Sequence, residues 1–183
     1  SKDSSSQIAH EYEARYPQTF RVIDKENGNY GSCINRGLKE ARGEYVKILD
    51  ADDRLDPKVL DRYMAFLNSL DTDMIISDFN MVNDNDEVVF DYSFDLPVSG
   101  KFRLSNIPLD MAGWLWHHGI TYRTTILRDI EYSQTEGVSY TDDEWVLYPL
   151  VAIGDVAYFP HTLYHYLRGR EGQTYDPKVV GRT

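Results

Sequence analysis

One cysteine, Cys33, stands among 183 residues. That excludes an intrachain disulfide and any zinc site built from several thiolates. Basic residues are also scarce. Lys and Arg total 19 against 30 Asp and Glu, for a formal net charge of -11. Such a balance argues against a nucleic-acid surface, which needs clustered positive charge. An anionic ligand such as a phosphate can approach this chain only beside a metal or locally placed Arg and Lys. No apolar run approaches the roughly 20 residues of a membrane-spanning helix. The chain opens on Ser1-Lys2-Asp3 rather than methionine, and reads as a fragment of a longer protein. Apolar residues make up 42%, enough for a packed domain. The lone thiol fits a reducing compartment, and Cys33 is expected to be a small buried residue of a helix.

Apolar periodicity predicts helices from Ser4–Ser6 to Tyr16 and from Ser32 to Gly43. Asp56 as cap and Pro57 at the first helical position start another, with Leu60, Tyr63, Met64 and Leu67 repeating at helical spacing. Strands are predicted at 19–23, 44–49, 73–79, 87–90 and 120–122, with 83–86 as a hairpin turn. Short helices are expected at 104–111, 124–129 and 142–151, and Trp114 to His118 form an aromatic loop or strand. Asp155–Phe159 and Thr162–Leu167 read as two strands divided by Pro160. Strands alternating with helices in the first half imply an α/β sheet with parallel pairs, whose ligands bind beyond the carboxyl ends of the strands.

The stretch Tyr45-Val46-Lys47-Ile48-Leu49 runs straight into Asp50, Asp52 and Asp53. If the pleat persists, Asp50 and Asp52 point the same way. Carboxylates gathered at a strand end suit a hard divalent cation. The alternative is a solvated loop in which Asp53 or Asp56 caps the next helix. An EF-hand fits poorly, because Leu55 and Asp61 occupy the positions that need Gly and Glu.

Asn27-Gly28-Asn29-Tyr30-Gly31-Ser32, Asn35-Arg36-Gly37-Leu38, Ala41-Arg42-Gly43-Glu44-Tyr45-Val46, Leu49-Asp50-Ala51-Asp52-Asp53 and Pro57 together resemble the family 2 glycosyltransferases in order and spacing. Glu136 to Trp145 is similar to the family's later acidic motif, and Tyr164 to Gln173 to the end of the catalytic domain in bacterial members that build surface polysaccharides. The resemblance implies a GT-A fold, a Rossmann-like, mixed but mainly parallel sheet flanked by helices. It implies a partial domain over 1–170 that lacks an N-terminal strand-helix-strand unit, and a polar tail over 171–183. One departure is Ile34, where many members carry Arg.

The resemblance also assigns roles. Asp52 and Asp50 would hold Mn or Mg in the family's DxD motif and face the donor. Asp142 would be the catalytic base, with Asp143 as the alternative; a capping box of Thr141 and Glu144 explains the same motif without catalysis. Asn27, Gly28 and Asn35 would approach the nucleotide-sugar, although Gly28 can serve the backbone alone. Arg168 and Arg170 would meet the diphosphate, or be plain surface charges. By their own chemistry, and not from the resemblance, Trp116, His117 and His118, with Trp114 and Tyr122, suit an acceptor site, where aromatic faces fit sugar rings and histidine can hydrogen-bond hydroxyls or join the metal; the rival is core or interface packing.

The resulting expectation is an inverting, metal-dependent glycosyltransferase. It would use a nucleotide-sugar donor, a UDP-sugar first, and act on a glycan or lipid-linked sugar in bacterial polysaccharide or glycolipid synthesis. The rivals are an inactive nucleotide- or carbohydrate-binding module and an interaction domain with a structural Ca site. Cytoplasmic location at the inner membrane face, peripheral membrane association of the full-length protein and homo-oligomerisation complete the expectations.

Overall fold

Met74–Val82, strand β3, has all nine of its residues buried. A strand covered on both faces tends to be apolar on both, and the first three residues of this one are divided accordingly. Met74 and Ile76 face the main core with Ile120, Tyr122, Trp145 and Val156. Ile75 faces the other way, into a smaller core with Tyr63, Ala157, Phe159 and Leu163. The computed structural model describes residues 3–107 and 115–169.

Around β3 lie helices α1 (Ser5–Arg15), α2 (Asn29–Glu40), α3 (Pro57–Ser69), α4 (Thr124–Asp129) and α5 (Asp142–Leu147). The other strands are β1 (Tyr45–Val46), β2 (Arg54–Leu55), β4 (Val88–Tyr92), β5 (Phe102–Arg103), β6 (Ile120–Arg123) and β7 (Asp155–Leu167). The sheet runs β1-β6-β3-β7-β2, with β4 added to β3 and β5 to β7. Only β3 and β7 pair in parallel among the described strands; the other pairs are antiparallel. The sheet is therefore mixed, as expected, but not mainly parallel. α3 starts as the sequence indicates: the Asp56 carboxylate accepts from Lys58 N at 2.8 Å, and Pro57 follows the cap. Among the described residues no helix is long and apolar enough to cross a membrane.

Several expectations change. Residues 19–23 form no strand; the Val22 amide donates to Glu13 Oε1 at 2.8 Å, so a side chain takes the place of a ladder partner. β1 ladders only at Tyr45 and Val46; just beyond it the Lys47 ammonium donates to the His118 and Ile120 carbonyls, at 2.5 and 3.3 Å. Pro160 does not divide two strands. β7 continues through it, and the register slips so that Ser77 faces Phe159 while Asp78 faces Thr162. The two extra residues form a bulge, which accommodates a residue with no amide hydrogen. The 104–111 helix is a single tight turn over Leu104–Asn106, with residues 108–111 outside the described set. α5 passes into a tighter turn over Tyr148–Ala152. Cys33 is exposed, not buried.

Asp78 is a buried carboxylate of β3, and its Oδ1 accepts from Tyr158 Oη at 2.6 Å and from Phe94 N at 3.3 Å. Burial pushes its pKa up, against the two hydrogen bonds. A raised folded-state pKa favours the fold below the unfolded value and loses that benefit as pH rises through the folded value. Asp78→Asn keeps an oxygen acceptor and removes the charge. It should equal or exceed the wild type in stability at about pH 7, with the difference between them shrinking toward about pH 4. Urea unfolding at both pH values checks this; a variant that weakens relative to wild type as pH rises would refute the assignment.

Candidate active site

The acidic loop does not continue the β1 pleat. Asp53 N donates to Asp50 O at 3.1 Å, so residues 50–53 form a turn. The turn leaves Asp52 exposed, Asp50 half-buried, and the Asp53 side chain 1% exposed. Asp50 and Asp52 therefore do not share one face of a strand. Asp53 takes the inner place and is anchored: it accepts from Tyr164 Oη and, at 2.8 Å, from Leu167 N. Tyr164 Oη also accepts from Asp50 N at 3.2 Å. Burial pushes the Asp53 carboxyl up to about 6 despite these bonds.

Opposite the loop stands the tight turn His117–Gly119. His117 Nε2 lies 3.1 Å from Asp50 Oδ2, and His118 Nε2 lies 3.9 Å from Asp53 Oδ2. Both histidines are buried. Desolvation, with the neighbouring His117 and Lys47, drives His118 down to about 2, so its imidazole is neutral. Burial likewise lowers Lys47 to about 7. Lys47 joins the two halves: its ammonium holds the carbonyl of His118 and lies 5.4 Å above the Tyr164 ring.

A third wall comes from α2 and α5. Gly31 of α2 packs so closely on residues 134–135 that a Cβ there would lie 2.0 Å from Thr135 O. Asn35 clamps the same loop, donating to Gln134 O at 2.9 Å and Glu136 Oε1 at 2.8 Å and accepting from Gln134 N at 2.8 Å. Gln134, fully buried, donates in turn to Thr141 O and Oγ1 at 2.8 and 2.9 Å. Thr141 is the residue before Asp142, so this chain of bonds fixes the start of α5. The capping box does not form. Thr141 makes no side-chain cap, and Glu144 Oε2 accepts instead from Thr135 N at 2.7 Å.

Tyr30 of α2 connects the walls. Its hydroxyl is buried beside Asp50 with no hydrogen bond of full geometry, although a weak interaction with the Asp50 carboxylate contributes to its pKa. Its pKa is raised, first by burial and then by the charges of Asp50 and Asp142. Both carboxylates therefore act on one buried hydroxyl, although they are distant in sequence.

Residues 1–131 match the family model described as glycosyl transferase family 2. The chain belongs to that family. It is 34% identical over 80 residues to the uncharacterized glycosyltransferase MG060 homolog of Mycoplasma pneumoniae, covering 42% of this chain and 26% of that protein. It is 35% identical over 68 residues to the minor teichoic acid biosynthesis protein GgaB of Bacillus subtilis, covering 37% and 8%. The solved structure of S. aureus TarS residues 1–349 in complex with UDP-GlcNAc superposes with a TM-score of 0.71 at 21% identity, over 94% of this chain and 48% of that one. The fold is thus that of the GT-A glycosyltransferases. The chain spans about half or less of these relatives' lengths.

Within this family 2 chain the expected residues do not all converge. Asp50, His117 and His118 do; Asp142 opens α5, and its charge acts with that of Asp50 on the buried Tyr30 hydroxyl. Asp143 is exposed on the next position of α5. Asn35 spends its amide on the 134–136 loop, which gives it a structural task in place of the expected nucleotide contact. Asn27 accepts from Asn29 N at 3.1 Å, and the Gly28 carbonyl accepts from Gly137 N at 3.2 Å, so both shape the entry to α2. Trp116 is half-buried against Tyr92 and Phe79, at 5.2 and 6.1 Å between ring centroids. His117 and His118 are turned inward to the acidic loop rather than outward to a sugar face. Arg168 is exposed beside Met81, one residue after the Leu167 that anchors Asp53. Arg170 and Trp114 lie outside the described residues.

Tyr30, Lys47, Gln134 and Tyr164 carry the geometry and were not singled out from the sequence. The one signal for Lys47 was its charge inside an apolar strand pattern.

Proposed function

We propose that the protein transfers a sugar from a UDP-sugar to a hydroxyl of a glycan or lipid-linked sugar, with inversion and with a divalent metal held at Asp50. The observation that carries this reading is the gathering of Asp50, His117 and His118, with donor atoms within 4.8 Å of one another, in a chain that belongs to the family 2 glycosyltransferases. The family membership and the TarS complex with UDP-GlcNAc support the donor class, and the GgaB relationship supports a surface glycan as acceptor. Activated donors are made in the cytoplasm, so the site would work there.

Asp142 is the base in this account. Its carboxylate takes the proton of the acceptor hydroxyl, and the oxygen attacks the anomeric carbon. The bond from that carbon to the β-phosphate oxygen breaks, and its electron pair leaves with UDP. One displacement inverts the anomeric configuration. A divalent ion, when bound, stabilises the charge that develops on the leaving diphosphate. The buried Tyr30 hydroxyl, short of a full hydrogen bond, and the unpartnered His118 ring beside Asp50 fit such a ligand, since each is costly to leave unpaired. Trp116 packs beside Tyr92, which in turn packs on Phe90, and the group offers aromatic faces for the acceptor ring.

Incubation with UDP-sugars and Mn, followed by NMR of the product anomer, tests this. UDP release with an inverted product is the expected result. A retained configuration, or no UDP release with any donor and acceptor, would contradict it.

A further inference from the structure

His118 is 3% exposed, and neither of its ring nitrogens has a hydrogen-bond partner. A neutral imidazole presents one N–H donor and one lone pair. Leaving such groups buried and unpaired costs about 1–3 kcal/mol each. The ring lies 4.4 Å from Tyr166 and 5.4 Å from Phe79, both stacked on it. A phenylalanine would fill that slot without the penalty. The position therefore holds nitrogen atoms where packing alone asks for none.

Those nitrogens have company. One donor atom each from Asp50, His117 and His118 lies within 4.8 Å of the others, and His117 Nε2 is 3.1 Å from Asp50 Oδ2. Donors around a first-row ion bound at roughly 2.0–2.2 Å stand about 3–4.3 Å apart. Closure needs a shift of a few tenths of an ångström. Lys47 fixes the histidine turn from one side, and Tyr164 fixes the Asp50 backbone from the other.

We propose that Asp50, His117 and His118 form a mixed nitrogen and oxygen site that selects a first-row transition ion over Mg(II) and Ca(II). Imidazole suits first-row ions, most strongly from Fe(II) to Zn(II) and least strongly Mn(II), while Mg(II) and Ca(II) take oxygen donors. This deepens the metal part of the proposed function: of Mn and Mg, it chooses Mn. It also removes the structural Ca site as a rival, because two of the three donors are nitrogen. The site needs no nucleotide to form.

Pulsed EPR of Mn(II) added to the protein without nucleotide tests the proposal. The expected spectrum carries imidazole-nitrogen hyperfine coupling, survives about a hundredfold excess of Mg(II), and loses the coupling in His118→Gln with at least about tenfold weaker binding. If that variant does not fold by circular dichroism, His117→Asn and the wild-type spectrum decide. Mn(II) bound through oxygen alone, no Mn(II) binding, or displacement by an equal concentration of Mg(II) would overturn it. Sugar transfer is measured on the same preparation. Oxygen-only Mn(II) with active transfer sinks the nitrogen site and spares the transferase reading; nitrogen-bound Mn(II) without transfer does the reverse.

Discussion

Asp142→Asn should lower the rate of sugar transfer by about a hundred- to ten-thousandfold, the range for removing a general base. Affinity for UDP in the presence of Mn should stay within about twofold, because the proposed binding wall is built on Asp50 and not on α5. Asparagine preserves the size of the side chain, and the start of α5 is fixed independently by Gln134 through Thr141. The loss should therefore appear in kcat with the fold intact. Asp143→Asn is the matched control. Asp143 is exposed on the adjacent position, and its replacement should leave the rate within a few-fold. Equal losses in both variants would mean that α5 is sensitive to charge in general and that Asp142 is not the base. Steady-state rates of UDP release and calorimetric UDP titrations together separate these outcomes.

Gly31→Ala should cost roughly 3 kcal/mol of stability, the upper end for overpacking. The added Cβ would lie 2.0 Å from Thr135 O and 2.9 Å from Thr135 C. Both are backbone atoms, so no side chain can rotate away. The 133–137 segment would have to shift, and with it the Gln134 bonds that seat Thr141 and Asp142. Gly37→Ala, on the same helix, has nothing within 4 Å of the new methyl. That change should stabilise by about 0.5–1 kcal/mol through helix propensity. Opposite signs for two identical substitutions on α2 are the expected result in urea unfolding. A neutral Gly31→Ala would show that α2 and the loop are not in contact.

Some of this was open to reading in the sequence. The Asp56-Pro57 start of α3 and the helix over 124–129 follow from local chemistry, and both stand as expected. Asp50 and Asp142 were visible as the two acidic motifs of a family resemblance. What the sequence hid depends on how the chain bends. A turn at 50–53 exchanges Asp52 for Asp53 at the inner position, and no periodicity rule foretells it. Asn35 resembled a ligand contact, yet its amide is used by a loop almost a hundred residues away, and such pairing is invisible in one dimension. His117 and His118 looked like part of an aromatic surface. They turn inward because Lys47 holds the carbonyl between them and β6, a contact between distant segments. Pro160 reads as a break because it cannot donate to a ladder; the structure absorbs it as a bulge in a strand already anchored along β3.

The central claim is that Asp50 supplies the metal-dependent binding wall of a nucleotide-sugar site. Calorimetric titration of UDP into wild type and Asp50→Asn, each with Mn and with chelator, tests it most directly. The account predicts UDP binding to the wild type that requires Mn and is weakened at least about tenfold in Asp50→Asn. Binding of equal strength in chelator, or an Asp50→Asn variant that binds as the wild type does, would contradict it.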